Sequence, residues 1–206
     1  MPSIDKAEAR RRARALAASL PPAAVAEESR AAAALLLSRP EFAEVELLLV
    51  FLSMPGEIDT APLVEAALAA GKRVAAPRIE GGDLAFVPLG RDWRDWPPDR
   101  WGIPDPPASA RALGTAELGR LRVLVAAPGL LFDAEGRRLG RGKGFYDRFL
   151  RGAREAAREG GGSLVACGYA FSVQLVPEAP AGPGDEAVDL VIAGGRLCGT
   201  RPTTRS

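Results

Sequence analysis

The sequence contains no histidine. That absence excludes catalytic triads and dyads built on imidazole, histidine general acid and base chemistry, and most zinc or iron centres. Cysteine is nearly as scarce: Cys167 and Cys198 stand 31 positions apart, with neither the paired spacing of a zinc cluster nor a disulfide framework. Two reduced thiols in a cytoplasmic protein are the expectation. No charge of one sign dominates, since 27 lysines and arginines face 26 aspartates and glutamates for a net charge of +1. A global pull toward nucleic acid or an anionic membrane is therefore absent, and any anion site has to be local. The basic N-terminus is not followed by an apolar block that would make a signal core or a membrane span. What remains for chemistry is carboxylates, lysine, arginine, tyrosine, backbone groups and a bound hard cation.

With 206 residues and 47% hydrophobic content the chain is long enough to bury a core, and one domain over residues 1–198 with a flexible tail over 199–206 is expected. Asp5 and Glu8 read as a capping box that opens a helix running to about Ser19 and stopped by Pro21 and Pro22. Lys6, Arg10 and Arg14 share one face of it. A second helix covers Ala23 to Ser38. The apolar run Val45 to Leu52 suits a strand buried on both faces. Then come a helix over Ala61 to Ala70 capped by Thr60, a strand over Arg73 to Pro77, and a hairpin over Ile79 to Leu89 turning at Gly81, Gly82 and Asp83. Gly90 to Pro107 holds Trp93, Trp96 and Trp101 among prolines and reads as an ordered loop packed on the surface. Strands follow at Arg122 to Ala127, Leu164 to Tyr169 and Val188 to Ala193, with a helix from Gly144 to Glu159. The alternation predicts a three-layer α/β fold: a mainly parallel, Rossmann-like sheet with helices on both faces and an added β-hairpin. In such sheets ligands bind beyond the carboxyl ends of the strands, which selects the loops Ser53 to Asp59, Pro128 to Gly144 and Ala170 to Asp185.

The second of these loops carries the strongest chemical signal. Gly140, Gly142 and Gly144 alternate with Arg141 and Lys143 just before a helix. Glycines let backbone amides approach phosphate oxygens, the helix N-terminus adds partial positive charge, and the two side chains add full charges. It is not a Walker A loop, because Arg137 stands five positions before Gly142 and Lys143 is followed by Gly144 instead of serine or threonine. Nor does the glycine spacing match the dinucleotide fingerprint. As a bare pattern it also fits a tight strand-to-helix turn; the cations and Asp147 favour a polyphosphate cradle.

The run Pro128-Gly129-Leu130, Phe132-Asp133, Gly136 and Arg138-Leu139-Gly140-Arg141-Gly142-Lys143-Gly144-Phe145-Tyr146-Asp147 resembles the hallmark segment of the 5-formyltetrahydrofolate cyclo-ligases. The likeness extends over nearly the whole chain: Lys6 and Arg10, Leu52-Ser53-Met54 with Glu57-Ile58-Asp59-Thr60, Gly102-Ile103-Pro104-Asp105-Pro106, and Phe171, Gln174, Pro180, Asp185 and Asp189 all match family positions. The fold it implies is that of the CoA-transferase-like group of Rossmann-like sheets. The reaction it implies turns 5-formyltetrahydrofolate and ATP into 5,10-methenyltetrahydrofolate, ADP and phosphate, with magnesium, in a cytoplasmic monomer.

The resemblance also implies roles. Lys6, Arg10, Arg138, Gly140, Arg141, Gly142, Lys143, Gly144, Phe145, Tyr146 and Asp147 would bind ATP; Lys143, Arg141 and Tyr146 would be catalytic. Leu52, Met54, Glu57, Arg141 and Phe145 would hold the folate, and Asp147 and Asp185 the magnesium. Two positions depart from the family: Phe145 replaces a tyrosine, and Gly184 replaces a polar neighbour of Asp185. Local alternatives stay open, with Lys6 and Arg10 as a solvated helix face, Glu57 or Asp59 as helix caps, and Asp147 as a partner of Arg151. The cradle alone also fits an ATP-dependent ligase or kinase acting on another small molecule, or a catalytically silent nucleotide-binding protein.

Overall fold

A computed structural model describes residues 5–200. Helices α1 (Lys6–Ala18), α2 (Pro22–Leu37) and α3 (Pro40–Glu44) precede β1 (Leu47–Val50), α4 (Ala61–Ala69), β2 (Arg73–Glu80) and β3 (Asp83–Leu89). After a single-turn 3-10 helix at Trp93–Asp95 come α5 (Thr115–Leu118), β4 (Arg122–Ala127), β5 (Leu131–Phe132), β6 (Arg138–Leu139), α6 (Phe145–Gly160), β7 (Ser163–Ala170), β8 (Leu190–Ala193) and β9 (Arg196–Thr200). Seven strands form one sheet in the order β3-β2-β1-β4-β7-β8-β9, while β5 and β6 form a separate ribbon. The pairs from β2 through β8 are parallel, and antiparallel β3 and β9 close the two edges. The expected α/β architecture is therefore present.

Alternation along the strands explains the layers. In β1, Leu48 and Val50 face a core made with α2 and α4 through Ala32, Leu36, Leu63 and Val64. Leu47 and Leu49 face the opposite core, which includes Leu118 of α5 and Leu150 of α6. A strand buried on both faces must be apolar at every position, which is what Leu-Leu-Leu-Val supplies. A third, smaller cluster joins Ala9 and Ala13 of α1 to Leu130, Leu131 and Leu139 of the ribbon region. Small residues at i and i+4 let α1 lie close to the ribbon, beside the carboxyl ends of the parallel strands.

Several local expectations need correction. Asp5 does cap α1, accepting the Ala7 N–H at 3.0 Å, but Glu8 leaves the capping box open and pairs with Arg11 and Arg12 instead. Thr60 does not cap α4 through its side chain: its hydroxyl donates to the Phe51 carbonyl at 2.7 Å, and Asp59 Oδ1 accepts the Ala61 N–H at 2.9 Å. Pro77 does not end its strand. β2 loses its β1 partner after Ala75, so a missing donor is tolerated there, and β2 continues to Glu80 as the first arm of the hairpin. The loop over 128–144 contains the β5–β6 ribbon, too short to be legible as a period. The expected domain end at residue 198 falls inside β9, which runs to Thr200; residues 201–206 lie outside the described residues. Gly194 and Gly195 make the β8–β9 turn, both at positive φ, as a two-residue hairpin turn requires. That glycine pair was the overlooked signal.

The tryptophan loop packs as expected in part. Trp93 is buried and Trp96 packs against the α2–α4 core, whereas Trp101 is 54% exposed with the Arg100 guanidinium 5.2 Å from its ring centre.

Candidate active site

Every residue expected at the site lines one cavity of about 420 Å³, within the roughly 300–1,000 Å³ of small-molecule sites. The sheet explains why. The chain leaves β1 toward β2 on one side and returns to β4 on the other, so β1 and β4 flank the topological switch point, where crossover loops diverge and leave a crevice. Leu52, Met54 and Glu57 follow β1. The ribbon and glycine loop follow β4. Asp185 comes from the long connection between β7 and β8, and α1 contributes Lys6 and Arg10 from the side. All three expected loops take part. Phe51, Pro77, Pro128, Gly129 and Leu139 complete the wall without having been expected there. Of these, only Pro128, Gly129 and Leu139 stood in the quoted run; Pro77 reaches the wall through sheet twist and strand order, which no local pattern encodes.

The ribbon is tied down before it can serve. Asp133 is fully buried, accepts the Glu135, Arg137 and Ala179 N–H groups at 3.1, 3.0 and 2.8 Å, and pairs with Arg137 Nε at 2.6 Å. The Gln174 amide donates to the Gly129 and Leu130 carbonyls at 2.8 and 3.2 Å. These bonds tie the ribbon to the β7–β8 connection, so the two loops share one rim.

Beyond the ribbon the glycine loop enters α6. Gly142 and Gly144 have φ of +99° and +67°, and Gly144 is the N-cap in left-handed conformation. A Cβ on Gly140 would stand 3.1 Å from Arg138 Nη1, so this glycine serves close packing instead. Placing alanine at position 144 should cost about 1–2 kcal/mol for the left-handed backbone and tilt the amides at the helix start. Urea unfolding of Gly144→Ala is expected to show that loss together with weaker anion binding by calorimetry; unchanged values for both would contradict it.

Charge in the cavity is arranged in pairs. Arg138 Nη2 meets Asp147 Oδ1 at 2.6 Å, with the arginine side chain only 4% exposed. Lys6 Nζ meets Asp185 Oδ2 at 2.8 Å. Arg141 Nη2 and Nε meet Glu57 Oε1 at 2.7 and 3.1 Å, and the Met54 N–H donates to Glu57 Oε2 at 3.0 Å. Arg10 Nε donates to the Gly140 carbonyl at 3.0 Å. Lys143 is exposed and makes no side-chain hydrogen bond or ion pair among the described residues. The lining thus holds five cations, Lys6, Arg10, Arg138, Arg141 and Lys143, against three carboxylates, Glu57, Asp147 and Asp185. That surplus of two exceeds the +1 of the entire chain. Positive charge is therefore concentrated locally in a chain that is nearly neutral as a whole.

The three alternatives for isolated residues are resolved by these contacts. Lys6 and Arg10 line the cavity, Asp59 caps the start of α4 by accepting the Ala61 N–H whereas Glu57 accepts the Met54 N–H, and Asp147 pairs with Arg138 while Arg151 goes to Glu186 at 3.0 Å.

Two buried polar atoms lack a partner among the described residues, Arg138 Nε and the Tyr146 hydroxyl. Both belong to residues of the cavity wall, and such donors are costly to bury unless something accepts from them. Burial, reinforced by the field of Glu57 and opposed by Arg138, pushes the Tyr146 hydroxyl well above its usual range, so it is a neutral donor. Burial works against ionisation of Asp185, but the hydrogen bonds from Lys6 and the Gly182 N–H outweigh it and hold its carboxyl below the usual range. The Lys6–Asp185 tie therefore persists above the ordinary aspartate pKa and is lost as pH falls through the lowered one.

The carboxylates also suit a hard cation. Asp147 accepts on Oδ1, from Arg138 and from the Glu186 N–H at 3.1 Å, and Asp185 accepts on Oδ2, from Lys6 and the Gly182 N–H at 2.7 Å. Oδ2 of the first and Oδ1 of the second remain for a ligand. No group of three or more carboxylates or thiols poised for a metal occurs among the described residues; magnesium does not need one, since it takes one or two carboxylates with phosphates and water. The same cavity is also lined by apolar side chains, Phe51, Leu52, Met54, Pro77 and Phe145. Arg148 lies 5.4 Å from the Phe145 ring centre.

A cationic glycine loop at a helix start, sharing one cavity with apolar side chains at the switch point of a doubly wound sheet, is the arrangement of an α/β enzyme. Comparison with known proteins gives the family: residues 2–194 match the 5-formyltetrahydrofolate cyclo-ligase family, and the chain belongs to it. The Escherichia coli K12 5-formyltetrahydrofolate cyclo-ligase is 33% identical over 160 residues, covering 76% of this chain and 82% of that one. The mouse 5-formyltetrahydrofolate cyclo-ligase is 30% identical over 150 residues, 69% of this chain and 70% of its own. Among solved structures, Aquifex aeolicus 5,10-methenyltetrahydrofolate synthetase superposes with a TM-score of 0.77 at 25% identity, covering 98% of this chain and 95% of that one. The protein is accordingly a ligase. No helix among the described residues is long and apolar enough to cross a membrane.

Proposed function

We propose that this enzyme cyclises 5-formyltetrahydrofolate to 5,10-methenyltetrahydrofolate at the expense of ATP, releasing ADP and phosphate, with magnesium as the metal. The observation that carries the reading is the mixed lining of one cavity: a surplus of positive charge with two orphaned donors, and a set of apolar and aromatic side chains. A triphosphate matches the first and a fused-ring folate the second.

The chemistry follows from the substrate. A formamide oxygen is a poor leaving group, so it must be activated before the ring can close. The formyl oxygen attacks the γ-phosphorus in line, the bond to the bridging oxygen breaks, and ADP departs. The nitrogen at position 10 then attacks the iminium carbon and gives up its proton, and phosphate leaves with the former formyl oxygen. No step needs an imidazole. Lys143, Arg141 and the amides of Gly142 and Gly144 hold phosphate oxygens, and Lys6, Arg10 and Arg138 add positive charge where negative charge builds up. Tyr146 donates its hydroxyl proton in a hydrogen bond without ionising. Asp147 and Asp185 are the residues that would hold magnesium, which when bound neutralises phosphate charge. Phe145 and Leu52 stack against the folate, while Glu57 orients it. Because Arg141 spends its free state on Glu57, triphosphate binding draws the arginine away and frees the carboxylate for the folate.

The test is turnover of purified protein, read as absorbance of the conjugated methenyl product. Product is expected only when ATP, magnesium and 5-formyltetrahydrofolate are all supplied. Glu57→Gln should bind a non-hydrolysable ATP analogue severalfold more tightly, since a competing carboxylate is gone, while its folate KM rises at least tenfold. ATP hydrolysis driven by a different small molecule, with no methenyl product, would defeat the proposal.

A further inference from the structure

Helix α6 carries Asp147, Arg151 and Arg154 at i, i+4 and i+7, which puts them on one face in successive turns. Asp147 lines the cavity; Arg151, Arg154 and Glu186 do not. All three nevertheless converge on the segment that bears Asp185. Arg151 donates from Nη2 to the Gly184 carbonyl and from Nε to Glu186 Oε1, both at 3.0 Å. Arg154 donates from Nη1 to Glu186 Oε2 at 3.0 Å and from Nη2 to the Ala187 carbonyl at 2.9 Å. The same Nη2 reaches Asp189 Oδ1 and Oδ2 at 3.1 and 3.0 Å. Glu186 completes the circuit, its N–H donating to Asp147 Oδ1 at 3.1 Å.

The segment needs this grip. Residues 175–189 contain no helix or strand, and Pro180, Gly182, Pro183 and Gly184 directly precede Asp185. Apart from the Asp185 N–H bond to the Gly182 carbonyl and the Val188 N–H bond to the Gly136 carbonyl, the backbone around Asp185 is placed by the side chains that hold it. Gly184, the departure from the family at this point, provides no side chain, and Arg151 takes hold of its carbonyl instead.

We infer that Arg151 and Arg154, acting through Glu186, are positioning residues that fix Asp185 relative to Asp147, with one helix serving as the gauge for both carboxylates. The inference rests on the proposed magnesium and nucleotide reading of those two aspartates. Two carboxylates from distant parts of the chain bind one small octahedral ion only if their separation is held. Arg154 has a structural duty as well, since Asp189 also accepts the Ala166 N–H at 2.7 Å at the start of the β7–β8 pairing. The informative variant is therefore the double substitution Arg151→Ala with Glu186→Gln. Arg151 is 55% exposed on its side chain and glutamine keeps the size of glutamate, so the fold is spared.

The experiment measures Mn²⁺ binding, as loss of the free-ion electron paramagnetic resonance signal, in the presence of a non-hydrolysable ATP analogue. The double variant is expected to bind Mn²⁺ about tenfold more weakly, at the low end of the roughly 10–100-fold that supporting groups of metal sites contribute. Thermal unfolding should stay close to that of the parent protein. The magnesium concentration for half-maximal turnover should rise by a similar factor, with turnover at saturating magnesium recovering to within about threefold. Wild-type Mn²⁺ affinity in the double variant overturns the inference. Asp147→Asn and Asp185→Asn, run beside it, separate the two levels: if they too bind Mn²⁺ normally, the metal assignment falls and takes the inference with it. If they bind poorly and the double variant binds well, only the positioning role is refuted.

Discussion

Lys143→Met is expected to lower kcat/KM about a hundredfold to a thousandfold, the loss seen when one donor to a developing anion is removed from a closed site. The argument is geometric. Lys143 stands between Gly142 and Gly144, both at positive φ, immediately before the first turn of α6. Its ammonium engages no side-chain partner among the described residues, unlike Lys6, Arg138 and Arg141, which are all held by carboxylates. It thus reaches an incoming phosphate without first breaking an ion pair or, unlike Arg10, a hydrogen bond to a loop carbonyl. For the same reason its loss should leave the fold alone, with stability inside the roughly ±0.5 kcal/mol of ordinary surface changes. Steady-state kinetics with a thermal melt checks both halves. Activity within about threefold of the parent would remove Lys143 from the catalytic group.

Asp147→Asn should act on both function and stability. The substitution keeps the shape of the side chain but withdraws the charge that neutralises Arg138, whose side chain is 4% exposed and whose Nε already lacks a partner. Removing one member of a buried pair typically costs about 3–5 kcal/mol, and the 18% exposure of Asp147 puts the expected loss at the low end. Turnover should fall by at least about two orders of magnitude, because one of the two carboxylates proposed to hold magnesium would be lost at the same time. The diagnostic result is a rescue. Inorganic tripolyphosphate, supplied without metal, should raise the melting temperature of Asp147→Asn more than that of the parent protein. In the variant the anion replaces the carboxylate that Arg138 has lost, and ligand binding to the folded state adds stability by mass action. Equal shifts in both proteins would separate Arg138 from the anion site.

Both expectations began as patterns in the chain. The glycines at 140, 142 and 144, the cations between them and Asp147 are close neighbours, so their meeting at a helix start follows from local geometry. The apolar run of Val45 to Leu52, broken only by Glu46, marked the central strand; its four residues Leu47–Val50 form β1, where burial on both faces leaves no polar position. The caps of α1 and α4 were less legible. Asp, Glu and Thr each have several partners within reach, and the choice between them depends on what else is near: arginines for Glu8, the Phe51 carbonyl for Thr60. Short elements such as α3, the β5–β6 ribbon and β9 carry too few residues to establish a period. They are held by pairing with distant segments.

What the sequence determined by itself was the chemistry on offer: no imidazole, a nearly neutral chain, an alternation of strand and helix, and one loop able to hold phosphate. Which groups share a cavity was decided only in three dimensions. Lys6 meets Asp185 across 179 positions and Arg141 meets Glu57 across 84, because the sheet crossover and the packing of α1 bring those loops to the same strand ends. Side-chain charge is written into each residue, but the distance between two charges belongs to the fold, and the strength of an ion pair depends on that distance and on the burial around it.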